Sequence, residues 1–224
     1  MALPAFSACI FDMDGLLLDT ERLAVTGWME ASRTLGYDVP YELALRTVGL
    51  DRQQSERMFR QRLGHVFPYD RVRDLRNAIN QRKIEMEGIP VKSGARELIG
   101  LLHARSIPCA VATSTQRSRA EDFLERAGLL TEFTVTVCGD EIEHGKPEPD
   151  IYREAARRLD LPPGKCMVFE DSGPGLTAAA RAGMIPVLVP DIGLVTEEVR
   201  RLAVVFFQSL TDALSFVDDA TRSA

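Results

Sequence analysis

The run Ala8-Cys9-Ile10-Phe11, followed by Asp12-Met13-Asp14-Gly15, constrains this 224-residue chain more than any other stretch. Four apolar residues without polar alternation make a strand buried on both faces, as in a parallel sheet covered on two sides. The run stops on one carboxylate and places a second two residues later. A charge at the end of a buried strand is costly unless something pairs with it. Two carboxylates so close also repel, which raises the pKa of one unless a cation stands between them. The stretch therefore calls for a metal or a substrate, and ligands bind at the carboxyl ends of strands in open parallel sheets.

Beyond Thr20 the pattern changes. Glu21–Leu35, Tyr41–Val48, Arg52–Leu63 and Tyr69–Glu87 read as amphipathic helices, separated by Gly36–Pro40, Gly49, Gly64–Pro68 and Gly88–Pro90. No strand is expected there, so a small helical domain is inserted after the first strand. Strand and helix then alternate. Strands are expected over Ile107–Ala112, Phe133–Cys138, Cys166–Phe169, Ile185–Val189 and Val204–Phe207. Helices are expected over Ser93–Arg105, with Ser93 as N-cap, and over Arg117–Ala127, Asp150–Leu159, Gly173–Ala182 and Leu210–Phe216. The alternation specifies a Rossmann-like α/β fold, a parallel sheet layered between helices. Its core spans 1–19 and 91–224, and the helical insert spans 20–90.

A net charge of −6 and a pI near 5.2 provide no basic field for nucleic acid or anionic lipid, so phosphate must be met by local positive charge. The N-terminus MALPAFSACIF carries no basic leader segment and its apolar run ends on Asp12. It reads as neither a signal peptide nor a membrane span. Cys9, Cys109, Cys138 and Cys166 contain no CxxC and read as packed free thiols of a reducing cytoplasm. His65, His103 and His144 lack ligand spacing. A monomer or weak homodimer is expected.

Four strands end in chemically useful groups: Asp12/Asp14, Thr113/Ser114, the loop carrying Lys146, and Glu170/Asp171. Each alone has an ordinary explanation as a turn, helix cap or solvated loop. Their ordered combination suits phosphoryl transfer. One carboxylate can attack phosphorus, and a second, two residues on, can give a proton to the leaving oxygen and take one from water. Hydroxyls and backbone N–H groups can hold phosphoryl oxygens, a lysine can neutralise spreading charge, and a carboxylate-bound hard cation can offset repulsion.

On these motifs the chain resembles the haloacid dehalogenase-like hydrolases of the phosphatase/β-phosphoglucomutase-like branch, along nearly its whole length. The resemblance implies Asp12 as nucleophile and Asp14 as general acid/base. It puts Thr113 on the family's Ser/Thr position, with Ser114 beside it as a further phosphate-binding residue, and Lys146, in HGKPEPD, on its lysine. It implies Mg²⁺ bound by Asp12, the Asp14 backbone carbonyl and Asp171 of EDSGPG, with Glu170 beside them as a neighbour or occasional ligand. Dehalogenation and phosphonate cleavage are disfavoured, because Asp14 and the acidic pair suit phosphate esters.

The resemblance also makes the insert a cap that closes over the site and selects substrate. Arg52, in TVGLDRQQS, resembles the cap arginine that the mutases use to hold a distal phosphate; the alternative is an exposed arginine in a helix's first turn. Arg82 and Lys83 read as a solvated face. The mutases usually carry a histidine twelve residues after the nucleophile, where this chain has Ala24. The expected activity is therefore a Mg²⁺-dependent phosphatase acting on a small phosphorylated metabolite such as a sugar phosphate. The alternatives are a hexose-phosphate mutase, a signalling receiver module and a non-catalytic phospho-ligand binder.

Overall fold

The computed structural model describes residues 5–48, 50, 52–193 and 195–222. The break expected at Gly49 and the first four residues lie outside them. Two compact units emerge, Met1–Leu18 with Pro90–Ala224, and Asp19–Ile89.

In the first unit, β1 (Ala8–Phe11), β2 (Cys109–Thr113), β3 (Val135–Cys138), β4 (Cys166–Glu170), β5 (Ile185–Leu188) and β6 (Val205–Phe206) form one parallel sheet in the order β3-β2-β1-β4-β5-β6. Sequence order reverses between β1 and β4, the switch point where such sheets bind ligands. Every residue of β1, β2, β4 and β5 is buried, which accounts for their uninterrupted apolar runs. On one face Ile10, Ala112, Val137 and Val168 pack against Ile151, Ala155, Ala178 and Ala179. Alternation sends Phe11 and Phe169 to the other face, where their rings stack at 5.0 Å.

The helices of this unit differ from expectation mostly at their ends. Helix Ala95–Ala104 starts from Gly94, not Ser93. Gly94 has φ 86°, and a Cβ there would lie 2.3 Å from the Thr211 backbone nitrogen. β2 begins at Cys109 because Ile107 N–H closes the preceding helix onto Leu102 O at 2.9 Å. The final helix runs Leu210–Arg222, beyond Phe216, and Arg105 holds it through Asp218. A short helix, Glu197–Arg200, was not anticipated. Leu18 pairs antiparallel with Val91, and Lys92 N–H donates to Leu17 O at 2.8 Å, so the chain leaves and rejoins this unit at one place.

The second unit is helical: α1 (Thr20–Thr34), α2 (Tyr41–Leu45), α3 (Arg52–Leu63) and α4 (Tyr69–Glu87). Its centre is aromatic. Trp28 meets Phe59 at 4.8 Å and Tyr69 at 5.4 Å, and Phe59 stacks on Phe67 at 5.3 Å. No helix among the described residues is long and apolar enough to cross a membrane.

Candidate active site

Asp12 follows directly on β1, and its backbone N–H donates to Phe169 O at 3.0 Å. The β-ladder thus continues one residue past the strand and holds the side chain at the switch point. Asp12 is 7% exposed. Burial above all, with Glu170 and Asp14 adding to it and Lys146 opposing it, pushes the Asp12 carboxyl up to about 8.

Lys146 supplies the compensating charge. Its ammonium is hydrogen-bonded to Asp12 Oδ1, to Glu170 Oε1 at 2.6 Å and to Ala112 O at 3.1 Å. Burial works against that charge, but the Asp12 and Glu170 carboxylates outweigh it and hold the ammonium well above its ordinary pKa. The three donors of the ammonium thus meet three protein acceptors.

Glu170 is fully buried, and both its oxygens are taken. Oε1 accepts from Lys146 and from the Tyr152 hydroxyl at 2.5 Å. Oε2 accepts from Ser172 N–H at 3.1 Å and from Ser172 Oγ at 2.9 Å. Ser172 Oγ in turn accepts Gly175 N–H at 3.1 Å and caps helix Gly173–Arg181. A Cβ on Gly175 would lie 1.7 Å from Glu170 Oε1, so only glycine leaves room for this carboxylate. Tyr152, on helix Asp150–Arg158, also sets its ring 4.9 Å from the Lys146 ammonium. Burial and Glu170 raise its hydroxyl pKa well above the ordinary value, which keeps it a donor.

Asp14 lies beyond Asp12, before the turn at Gly15, whose φ is 84°. Its Oδ2 accepts Thr115 Oγ1 at 2.7 Å, while Thr113 Oγ1 stands further off at 3.4 Å. Thr113 is the last residue of β2, 1% exposed, and its Oγ1 accepts Thr115 N–H at 3.1 Å. Ser114 is exposed, with its carbonyl against Gly139.

Asp171 is 6% exposed and follows Glu170 where β4 runs beside β1. The Asp12 and Asp171 carboxylates and the Asp14 carbonyl, which the resemblance names as ligands, are oxygen donors of the kind a hard cation takes. Among the described residues no three His, Cys, Asp or Glu side chains group as a metal cage, and Glu170 is committed elsewhere. The fit therefore rests on two carboxylates and one main-chain oxygen. Arg52 belongs to the helical unit and pairs with Asp70 at 2.7 Å.

Sequence reasoning passed over Tyr152 and Gly175 and read Thr115 and Ser172 only as helix-cap residues, a role that Ser172 fills. Tyr152 falls on the apolar stripe Ile151, Tyr152, Ala155, Ala156, where its ring explains it and its hydroxyl leaves no periodic signal. Thr115 stood in view in Thr113-Ser114-Thr115, but nothing in the run distinguishes the hydroxyl that reaches Asp14.

Comparison with known proteins identifies the family of the chain. The family described as haloacid dehalogenase-like hydrolase matches residues 6–183. A Drosophila melanogaster protein named "Probable pseudouridine-5'-phosphatase" is 38% identical over 197 residues, covering 85% of this chain and 84% of its own. A phosphorylated carbohydrates phosphatase of Thermotoga maritima is 32% identical over 179 residues, covering 79% and 82%. The crystal structure of a HAD family hydrolase from Deinococcus radiodurans R1, with bound phosphate and sodium, superposes with TM-score 0.83 at 26% identity, covering 96% of each chain.

Proposed function

Because the chain belongs to the haloacid dehalogenase-like hydrolases and is a phosphoric monoester hydrolase, we propose that it dephosphorylates a small phosphorylated metabolite, a sugar phosphate, through a phosphoryl ester on Asp12. The observation that carries this reading is Lys146, buried between Asp12 and Glu170 at the switch point. A lysine so placed neutralises the nucleophile's surroundings and the charge that gathers on phosphoryl oxygens during transfer.

In the first step a carboxylate oxygen of Asp12 bonds to phosphorus as the ester P–O bond breaks. Asp14 gives its proton to the departing alcohol oxygen. In the second step Asp14 takes a proton from water, whose oxygen bonds to phosphorus. The Asp12–phosphorus bond breaks, and inorganic phosphate leaves. Thr113 and Ser114 at the end of β2 offer hydroxyl and backbone donors to the phosphoryl oxygens. Glu170, held by Tyr152 and Ser172, keeps Lys146 in place. Asp12, Asp171 and the Asp14 carbonyl would hold Mg²⁺, which would supply the positive charge that favours an ionised Asp12 beside an anionic substrate.

Names of the relatives favour phosphorylated sugars and nucleoside-like phosphates as the substrate class. Ala24 stands where mutases carry histidine, which favours hydrolysis over isomer exchange. The four described cysteines are buried and free, which suits a reducing cytoplasm. The test is phosphate release from a panel of sugar phosphates, nucleotides and glycolytic acid phosphates with Mg²⁺. Release with a hydroxylamine-sensitive phosphoryl group on Asp12 is expected. No release from any ester would overturn the reading, and bisphosphate-dependent isomer exchange without net release would replace it with the mutase.

A further inference from the structure

Thr113 and Ser114 follow β2, whereas Lys146 lies in the loop after β3, so the spacing of these groups depends on what joins the two strand ends. Thr113 and Cys138 stand side by side in the ladder. Directly after Cys138, the short turn Gly139–Glu141 is stitched onto the segment Ser114–Arg117. Gly139 N–H donates to Thr115 O at 3.0 Å, and a Cβ on Gly139 would lie 2.2 Å from Ser114 O. Backbone lies on backbone here, and only glycine allows it. Asp140 Oδ1 accepts the N–H of Arg117, the first residue of helix Arg117–Arg126, at 2.9 Å. That helix's own N-cap, Gln116, makes no side-chain cap bond, so Asp140 caps it from the other loop. Glu141 completes the join. Its Oε2 accepts Cys138 N–H at 2.8 Å and is hydrogen-bonded to Arg117 Nη2, which also donates to Thr136 O at 2.8 Å.

We propose that Gly139 and Asp140 are positioning residues for the phosphate grip. They act through the main chain from Ser114 to Arg117 and set its donors against Lys146. A methyl group at 139 must push the Ser114 carbonyl away, and loss of the Asp140 carboxyl leaves the first N–H of the helix to water. This rests on the placement of substrate phosphate at Thr113, Ser114 and Lys146 made above.

A turn that only braced the fold would cost stability and leave phosphate affinity alone. Affinity for inorganic phosphate with Mg²⁺, read by titration calorimetry, separates the two roles and needs no turnover. Asp140→Ala should weaken phosphate binding about threefold and lower kcat/KM on 4-nitrophenyl phosphate about tenfold. Asp140→Asn keeps an oxygen that accepts Arg117 N–H and should recover most of both losses. Gly139→Ala should weaken binding roughly tenfold and lower kcat/KM by about 10²-fold. If Gly139→Ala does not fold, the Asp140 pair decides. A lower melting temperature with unchanged phosphate affinity in Asp140→Ala, or failure of asparagine to recover the loss, would overturn the proposal. Lys146→Met marks the site itself and should lose phosphate affinity. If it does and the turn variants do not, only the role of the turn falls. If Lys146→Met binds phosphate as the unsubstituted protein does, the placement of substrate phosphate falls too.

Discussion

In the sheet unit the Lys146 side chain is 7% exposed and shares Asp12 and Glu170, whereas in the helical unit Arg52 and Asp70 pair with 59% and 56% of their side chains in solvent. The sheet unit gathers charge where water is excluded, so each group must be answered by another. Removing one member strands its partners. The helical unit keeps its interior aromatic, through Trp28, Phe59, Phe67 and Tyr69, and leaves the Arg52–Asp70 pair on the surface. Those charges are screened and contribute little to stability. Chemistry that must not drift is therefore built into the first region, while the second can change its surface charges at little cost to folding.

The largest test of this contrast is Asp12→Asn. Turnover should fall about 10⁴-fold or more, measured as phosphate release. Stability should move the other way. Burial pushes the folded Asp12 carboxyl up to about 8, while an unfolded carboxyl titrates near the ordinary 3.8. Between those values the folded chain keeps a proton that the unfolded chain has released, so stability falls as pH rises. The asparagine variant lacks that slope. In chelator it should melt above the unsubstituted protein at pH 8 and level with it near pH 4. An unchanged melting difference across this range would show that Asp12 is not strained by burial.

Lys146→Met comes next. It should slow turnover by about 10²–10³-fold and, by leaving the buried Asp12 and Glu170 side chains without their shared cation, cost about 3–5 kcal/mol in urea unfolding. Tyr152→Phe is milder. It keeps the ring beside Lys146 and removes only the donor to Glu170 Oε1. Because Lys146 still answers that oxygen, the expected cost is about 1–2 kcal/mol, with a several-fold loss in kcat.

The same contrast explains what could be read from the residues alone. β1 and β4 carry two local signals at once, an apolar run and an abrupt acidic stop, so Asp12, Asp14, Glu170 and Asp171 stand out, as do the parallel sheet and its layered helices. Lys146 stands out because glycine and proline flank it in the loop after β3. Tertiary partners left no such mark. The Tyr152 hydroxyl, the room at Gly175 and the Thr115 reach to Asp14 each depend on a second element brought near by folding. Element ends escaped for a related reason. Pro108 and Ile107 look like strand residues by composition, but the preceding helix claims the Ile107 N–H. Gly94 displaced Ser93 because Thr211, 117 positions on, packs where a side chain would stand.

The smallest expected effect probes the helical unit itself. Arg52 Nη2 meets Asp70 Oδ1 at 2.7 Å, and this pairing raises the guanidinium pKa further above its already high ordinary value. A pair so open to solvent adds little to folding, so Arg52→Ala should shift the melting temperature by no more than about a degree. If the arginine serves instead to hold a second phosphate, its loss should raise KM for a sugar bisphosphate roughly tenfold while KM for the matching monophosphate stays level. Asp70→Asn sharpens the test, since it releases the guanidinium without removing it and should lower the bisphosphate KM. Equal KM changes for both substrates, or none in either variant, would leave Arg52 as a surface cation.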